Sequence, residues 1–113
     1  MKNLAPTIYR QRLVVEGIPS SVITDQRIKE YLVKLSEVLA MKTLIDPVTH
    51  RSDLYGEAGW IHWESSGAHF YAWEQPLLFF SVDIYTCKAF EASDAVDFTR
   101  DFFQAKEIEF KEF

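Results

Sequence analysis

The chain has 113 residues, of which 17 are acidic and 12 are basic, so its formal net charge at pH 7 is −5. This length fits one domain spanning residues 1–113, and 48% hydrophobic with 26% charged residues is typical of a folded globular protein, which excludes a disordered chain. The acidic balance and the scattered Lys and Arg residues argue against a nucleic acid partner, because phosphate binding requires clustered positive charge.

Aromatic residues are unusually frequent: there are nine Phe, five Tyr and three Trp. A domain of this size buries only roughly 60–70% of the surface of its unfolded chain, so this surplus favours burial against a second copy. The single cysteine excludes a disulfide framework and a multi-cysteine metal site, and favours a reducing compartment. Residues 1–6 contain no long apolar run after their charge, so we expect no signal peptide, no membrane span and a cytoplasmic location.

The first predicted elements are a strand and a helix. Residues 8–17 are rich in β-branched side chains and end at Gly17, which predicts a strand. Thr24 or Asp25 is suited to cap the helix that follows. Apolar residues then recur at intervals of three and four, as on one face of a helix: Ile28, Tyr31, Leu32, Leu35, Val38 and Leu39.

Several short strands are predicted next. Residues 41–45 favour a strand that Asp46 and Pro47 end, and residues 50–59 are polar and typical of a loop. Three further strands are predicted at 60–63, 68–73 and 78–85, joined by turns at 65–67 and 74–76. Such short connections imply antiparallel neighbours.

The last elements are a helix and an edge strand. Ser93 is suited to cap the helix, and residues 108–113 alternate between apolar and charged as an edge strand does. The apolar face of the helix would consist of Ala95, Val96, Phe98, Phe102 and Phe103. The order of elements indicates an α+β fold, with both helices on one face of an antiparallel sheet. The other face would be either solvated or covered by a second copy, and the aromatic surplus favours the second copy.

Two adjacent segments contain most of the side chains that favour chemistry. Residues 63–73 read WESSGAHFYAW, and residues 81–87 read SVDIYTC, which contains the only cysteine. This pattern resembles the small prokaryotic S-adenosylmethionine decarboxylases, in which a Glu-Ser-His run precedes a strand with His-Thr-Trp, and an Asp-hydrophobic-aromatic-Thr-Cys run follows. The resemblance implies the antiparallel sandwich of that family, as a divergent member.

The resemblance also implies a self-made cofactor. In that family the serine of the Glu-Ser bond attacks the preceding carbonyl, and the resulting ester breaks down to leave a pyruvoyl group. The keto group of the pyruvoyl forms a Schiff base with the substrate amine and withdraws electrons as carbon dioxide leaves, in a reaction that feeds polyamine synthesis. Processing here would involve Ser65 or Ser66, with Glu64 and Gly67 beside them.

One register selects Ser65 as the processing residue. It follows from matching the family's Glu-Ser dipeptide to Glu64 and Ser65. Ser66 then stands at the family's first histidine, and His69 lies one residue early for the second. A bulge near the turn would be needed to bring His69 into the missing histidine's role.

The other register selects Ser66. It follows from counting back from the family's tryptophan to Trp73, and it places Gly67 at the first histidine and Tyr71 at the second. His69 and Tyr71 are two residues apart, so in a strand both side chains point to the same face, and we expect both to act at the site. The alternative is that the two serines are ordinary turn residues with no chemical role.

Cys87 matches the family without a gap. Residues 83–87 fit the Asp-hydrophobic-aromatic-Thr-Cys pattern, in which the cysteine gives a proton to the decarboxylated carbon. Asp83 of the same run is a candidate for substrate binding. Trp60, Trp63 and Trp73 are further candidates, because indole faces attract cations such as a sulfonium. The alternatives are a buried small cysteine and tryptophans that pack in the core or a dimer.

A metal site is not predicted. His62 and His69 lie on neighbouring segments, but no further spaced ligands accompany them.

Three functions remain open. The first is a pyruvoyl-dependent decarboxylase of S-adenosylmethionine or a related cationic amino acid. The second is an unprocessed homologue without a cofactor, which binds such a ligand or regulates a paralogue as a heterodimer. The third is a fold recruited to another reaction on a sulfonium substrate. A homodimer is the expected assembly for the first.

Overall fold

The computed structural model describes residues 1–113 and contains six strands and two helices. In chain order the elements are β1 Gln11–Ile18, α1 Asp25–Val38, β2 Thr43–Ser52, β3 Gly56–Trp63, β4 Ser66–Trp73, β5 Phe79–Thr86, α2 Ala92–Phe103 and β6 Glu107–Glu112.

All six strands form one sheet in the order β2-β3-β4-β5-β1-β6, and every neighbouring pair is antiparallel. Helix α1 packs on β2 and β3, α2 packs on β1 and β6, and the two helices contact each other. The α+β fold with both helices on one face of an antiparallel sheet is therefore confirmed. Neither helix is long and apolar enough to cross a membrane.

Helix α1 begins where the sequence predicts. The Thr24 hydroxyl accepts a hydrogen bond from the Arg27 backbone amide, which satisfies one of the amides left free at a helix start. Ile28, Tyr31, Leu32 and Leu35 are fully buried against the sheet. Val38, predicted on this apolar face, is 43% exposed and is the last residue of the helix.

Helix α2 begins before its predicted cap. Ser93 lies inside the first turn, and the N-cap residue is Glu91, which makes no side-chain cap bond. The predicted cap at Ser93 is therefore wrong. The helix ends at Gln104, a non-glycine residue with a φ of 45°, whose amide bonds back to carbonyls of the last turn.

Strand β2 is longer than the sequence predicts. It continues through Asp46 and Pro47 to Ser52, and its pairing with β3 shifts register between Thr43 and Val48. Proline is tolerated here because β2 is the outermost strand, where a missing amide costs no hydrogen bond within the sheet. The predicted loop at 50–59 is consequently reduced to a short turn at 53–55.

The core between sheet and helices is aromatic. Tyr31 packs on Phe70 and Phe103 at ring-centroid distances of 5.2 and 4.9 Å. Its hydroxyl lies 2.7 Å from the Thr99 hydroxyl, and burial raises the pKa of the phenol well above its ordinary value. The hydrogen bond to Thr99 acts in the opposite direction but is the smaller effect.

Candidate active site on the helix-free face

The functional side chains gather on the face of the sheet that has no helices. Alternate residues of a strand point to opposite faces, so the residues between the buried core positions of β1, β3, β4 and β5 all face this side. They surround an open cavity of about 630 Å³. Its lining residues are Arg12, Trp60, Ile61, His62, Ser66, Gly67, His69, Tyr71, Asp83 and Tyr85. Of these, Ile61 and Ser66 have the parity of the buried helix side in the strand register.

His69 occupies the centre of this face. It is directly opposite Trp60 on β3 and Asp83 on β5, and its ring centroid lies 6.3 Å from that of Trp60. Its Nδ1 atom lies 3.3 Å from the hydroxyl of Tyr71. The prediction that His69 and Tyr71 share a face is therefore confirmed. The pairing of β4 is unbroken on both sides, so no bulge moves His69 towards the serines.

Asp83 is tied to Arg12 of β1. Arg12 donates from Nε to one carboxylate oxygen at 3.0 Å and from Nη2 to the other at 2.7 Å. The hydrogen bond and the charge attraction to Asp83 raise the pKa of the guanidinium. Because Arg12 compensates its charge, Asp83 borders the cavity as half of an ion pair, which weakens the attraction it could offer a cationic substrate.

The turn between β3 and β4 places the two candidate serines differently. The turn residues are Glu64 and Ser65, and Ser66 already pairs with Thr86 and Trp63 in the sheet, so the predicted turn at 65–67 is one residue late. The hydroxyl of Ser65 donates to Met41 Sδ at 3.3 Å. Ser66 borders the open cavity and has a φ of 126°, which side-chain-bearing residues rarely adopt.

Cys87 lies beside this turn. Its backbone amide donates to the Ser65 carbonyl at 2.9 Å, and its side chain is exposed. The Nζ atom of Lys88 donates to the Ala40 carbonyl, so the lysine charge is directed away to the end of α1. The structure therefore places Cys87 next to Ser65 and Ser66, from which it is distant in the sequence.

Gly67 and Glu64 have contrasting surroundings. A Cβ atom at Gly67 would lie 2.3 Å from the Ile61 carbonyl oxygen, so β3 approaches β4 too closely here for any side chain. Glu64 is exposed and forms an ion pair with Lys42 at 3.2 Å. The close approach of the backbone therefore requires glycine at position 67, whereas Glu64 makes only a solvent-exposed ion pair.

Of the three candidate tryptophans, Trp60 lines the main cavity and the other two do not. Trp63 is fully buried on the helix side, where its indole N–H donates to the Ser36 hydroxyl at 2.7 Å, so its predicted contact with substrate is incompatible with the structure. Trp63 and its ladder partner Ser66 both have the parity of the core residues, which explains why Trp63 faces the helices. Trp73 lines a separate cavity of about 250 Å³ with Tyr71 and packs on Phe79.

The sequence assigns no role at this site to Arg12 or Tyr85 and considers His62 only as a possible metal ligand. All three lie in one cross-strand row with Gly67, since His62 and Tyr85 both pair with Gly67 and Arg12 pairs with Tyr85. Alternation along each strand is the signal that places them on the helix-free face. That signal becomes usable only when the register between strands is known.

Comparison with known proteins agrees with this arrangement. The family profile for S-adenosylmethionine decarboxylase matches residues 13–113. The chain is similar to the crystal structure of the adenosylmethionine decarboxylase from Aquifex aeolicus vf5, with a TM-score of 0.75 and 15% sequence identity over 94% of this chain and 89% of that chain. No curated protein sequence matches the chain. The profile covers most of the chain, and the chain therefore belongs to the S-adenosylmethionine decarboxylase family.

Proposed function

We propose that this protein binds S-adenosylmethionine or a related cationic amino acid on the helix-free face and decarboxylates it with a pyruvoyl group formed from Ser66. The observation that carries the proposal is the hydrogen bonding and backbone geometry at the Ser65–Ser66 peptide bond. Its carbonyl accepts a hydrogen bond from the Cys87 amide, and its second residue has a φ of 126°.

Both features favour cleavage at this bond. A hydrogen bond to the Ser65 carbonyl stabilises negative charge that develops on its oxygen when the Ser66 hydroxyl attacks. A non-glycine residue in such a backbone region is strained by about 1–3 kcal/mol, and cleavage at Ser66 releases that strain. The Ser65 hydroxyl is instead engaged by Met41 on the buried side. The geometry therefore supports Ser66 over Ser65 as the precursor of the cofactor.

The surrounding residues fit a pyruvoyl group at this position. When present, the group supplies a carbonyl that withdraws electrons from the substrate carbon during loss of carbon dioxide. Cys87 follows Thr86, the ladder partner of Ser66, and its exposed thiol is placed to give a proton to the product carbon. A ligand above Ser66 would also border His69, which the hydroxyl of Tyr71 orients.

Aromatic side chains provide the binding surface for a positively charged ligand. Trp60, Tyr71 and Tyr85 line the cavity from three strands. A cation over an aromatic face gains about 0.5–2 kcal/mol, the larger figure when water is excluded. Asp83 contributes less, because Arg12 already compensates its charge. The selectivity for a cationic substrate therefore rests on the aromatic residues.

We also propose a homodimer in the cytoplasm as the working form. The helix-free face exposes Tyr71, Tyr85 and Ile45 at 41%, 45% and 47% of their surfaces. Covering this face with a second copy would exclude water from the cavity, which strengthens electrostatic interactions within it. A paralogue in place of the second copy would give a heterodimer with the same buried face.

A carbon dioxide release assay tests the proposed activity. The wild-type protein should release carbon dioxide from S-adenosylmethionine, or from lysine or arginine as the related cationic amino acids. Ser66→Ala should release none, whereas Ser65→Ala should retain most of the activity. Cys87→Ala should remain folded and lose activity. Equal turnover by Ser66→Ala and wild type would contradict the assignment of the cofactor.

A second candidate is an unprocessed homologue that only binds the ligand or regulates a paralogue. It is favoured by Gly67, which stands where the Ser66 register requires the family's first histidine and has no room for a side chain. Calorimetry separates the two candidates. Saturable binding of S-adenosylmethionine by a chain that releases no carbon dioxide would support the second candidate and exclude the first for that ligand.

A further inference from the structure

The segment that carries Cys87 leaves the sheet before α2 begins. Strand β5 ends at Thr86, and residues 87–91 belong to neither a strand nor a helix. The backbone amide of Cys87 is bound to the Ser65 carbonyl, and both backbone groups of Phe90 are bound to the side chain of Gln11 on β1. The segment is therefore attached to the sheet at both ends, with the exposed thiol at its first residue.

The side chain of Gln11 takes the part of a strand residue in this attachment. Its Nε2 donates to the Phe90 carbonyl at 2.9 Å, and the Phe90 amide donates to its Oε1 at 3.1 Å. Two residues that exchange both bonds in this way form the hydrogen-bonded pair of an antiparallel sheet. The Tyr9 hydroxyl also donates to Oε1, at 2.9 Å, which favours this orientation of the amide. Gln11 thus continues the attachment of the chain to β1 beyond the end of β5.

The strand register connects Gln11 with the position of the proposed cofactor. Thr86 is the ladder partner of Gln11 on one side and of Ser66 on the other. The three residues form one row across β1, β5 and β4, and Cys87 is the next residue after the middle one. Gln11 therefore fixes the path of the chain directly after Thr86, and with it the position of the thiol relative to Ser66.

The other side-chain contact of the segment is the bond from Lys88 Nζ to the Ala40 carbonyl. That bond is exposed to solvent, where an ammonium on a flexible stem gains little over its contacts with water. The two bonds of Gln11 are partly buried, and a hydrogen bond is stronger where the local dielectric is lower. Gln11 is the stronger of the two anchors.

We propose that Gln11 is a positioning residue for the decarboxylation, because it holds the segment that places the Cys87 thiol beside the group formed from Ser66. This inference rests on the proposed function, which makes Cys87 the proton donor. Gln11 itself contacts no substrate, and the aromatic residues that bind the ligand lie outside its contacts. Its loss should therefore lower kcat and leave KM nearly unchanged.

Hydrogen exchange tests the positioning independently of turnover. The chain contains one cysteine, so isotope-labelled cysteine gives a single amide resonance, that of Cys87. Gln11→Met has a side chain of similar length and lacks both bonds, and Gln26→Met, at an exposed glutamine of α1, is the matched control. The Cys87 amide should exchange with deuterium at least about tenfold faster in Gln11→Met than in wild type. Gln26→Met should exchange at the wild-type rate.

Steady-state carbon dioxide release tests the link to the reaction. A displaced proton donor should lower the kcat of Gln11→Met by roughly 10- to 100-fold, with KM close to wild type. Gln11→Glu keeps the acceptor for the Phe90 amide and loses only the donor, so it should lie between wild type and Gln11→Met in both measurements.

The remaining outcomes overturn the inference in distinguishable ways. Unchanged exchange of the Cys87 amide in Gln11→Met would show that the segment is held without Gln11. Faster exchange with a wild-type kcat would reject the link to the reaction, and a raised KM with a wild-type kcat would assign Gln11 to substrate binding. All three leave the proposed function standing. A wild-type protein that releases no carbon dioxide rejects the proposed function, and this inference with it, before any variant is made.

Discussion

Ser66 has a backbone conformation that its own residue type does not explain. Its φ of 126° lies in a region where a Cβ atom is strained, although it begins a regular strand that pairs on both sides. Glycine would be the ordinary choice for such a position, and glycine is the next residue in the chain. A serine in this conformation supports the proposed role of its hydroxyl in cleavage.

Replacement of Ser66 by glycine should stabilise the uncleaved chain. Ser66→Gly and Ser66→Ala both lack the hydroxyl, so neither can self-cleave, and they differ mainly in the strain of a Cβ atom at a φ of 126°. Ser66→Gly should be more stable by about 1 kcal/mol. Urea unfolding of the two variants measures this difference. Equal or greater stability of Ser66→Ala would show that the residue is not strained.

The residues of the site differ in how far the sequence identifies them. The match around Asp83 and Cys87 is continuous, so their place at the end of β5 follows directly from the resemblance. Neither the sequence nor the resemblance decides between Ser65 and Ser66, because the distinction depends on which hydroxyl contacts Met41 and which carbonyl accepts the Cys87 amide. Contacts between distant segments leave no local pattern in a single sequence.

At the scale of elements, hydrophobic periodicity predicts the helices and most strands, and local turn chemistry is less reliable. The spacing in α1 and the alternation in β4 are confirmed because both elements bury one face. The break predicted at Pro47 is wrong because tolerance of proline depends on β2 being an edge strand, which is a property of the whole sheet. Trp63 is misplaced for the same reason, since its face depends on register.

The link between α1 and β3 through Ser36 should be important for stability. The Ser36 hydroxyl accepts from the Trp63 indole at 2.7 Å and donates to the Leu32 carbonyl at 2.7 Å, and all of these groups are buried. Ser36→Ala leaves the indole N–H without a partner, which should cost about 1–3 kcal/mol. Ser93→Ala is the matched control and should change the unfolding free energy by less than about 0.5 kcal/mol, since Ser93 is exposed and caps nothing. Similar losses in both variants, measured in urea, would refute the role of Ser36.

Tyr31 of α1 should make the fold sensitive to alkaline pH. Burial raises the pKa of its phenol, so as pH rises above about 10 the unfolded chain loses this proton while the folded chain keeps it. The folded state then binds more protons than the unfolded state, and the free energy of unfolding falls with pH. Tyr31→Phe should show a shallower decline above pH 10, measured by urea unfolding at several pH values. Parallel curves for the two proteins would contradict this.

At the scale of the whole molecule, the two faces of the sheet have different roles. The helix side holds a closed aromatic core around Tyr31, Phe70 and Phe103. The other side has no covering element, yet it exposes large aromatic side chains around the cavity. An exposed apolar surface of this kind on a small domain is typical of an interaction or binding surface.

The proposed dimer predicts a native mass twice the chain mass of 13.2 kDa. Trp73→Glu places a charge on the helix-free face and should convert the protein to a monomer, because burying an unpaired carboxylate is unfavourable. Val33→Glu, at a 42% exposed position on α1, is the matched control and should remain dimeric. Light scattering coupled to gel filtration measures both. A monomeric wild type at micromolar concentration would rule out the dimer.

The central claim is that the chain cleaves itself between Ser65 and Ser66, and intact-mass spectrometry tests it most directly. Wild-type protein incubated after refolding should convert from a single 13.2 kDa species to two fragments, residues 1–65 with a normal carboxyl end and residues 66–113 with a pyruvoyl end. Ser66→Ala should remain a single species under the same conditions. A wild-type mass that stays at 13.2 kDa, or fragments that break before Ser65, would contradict the account.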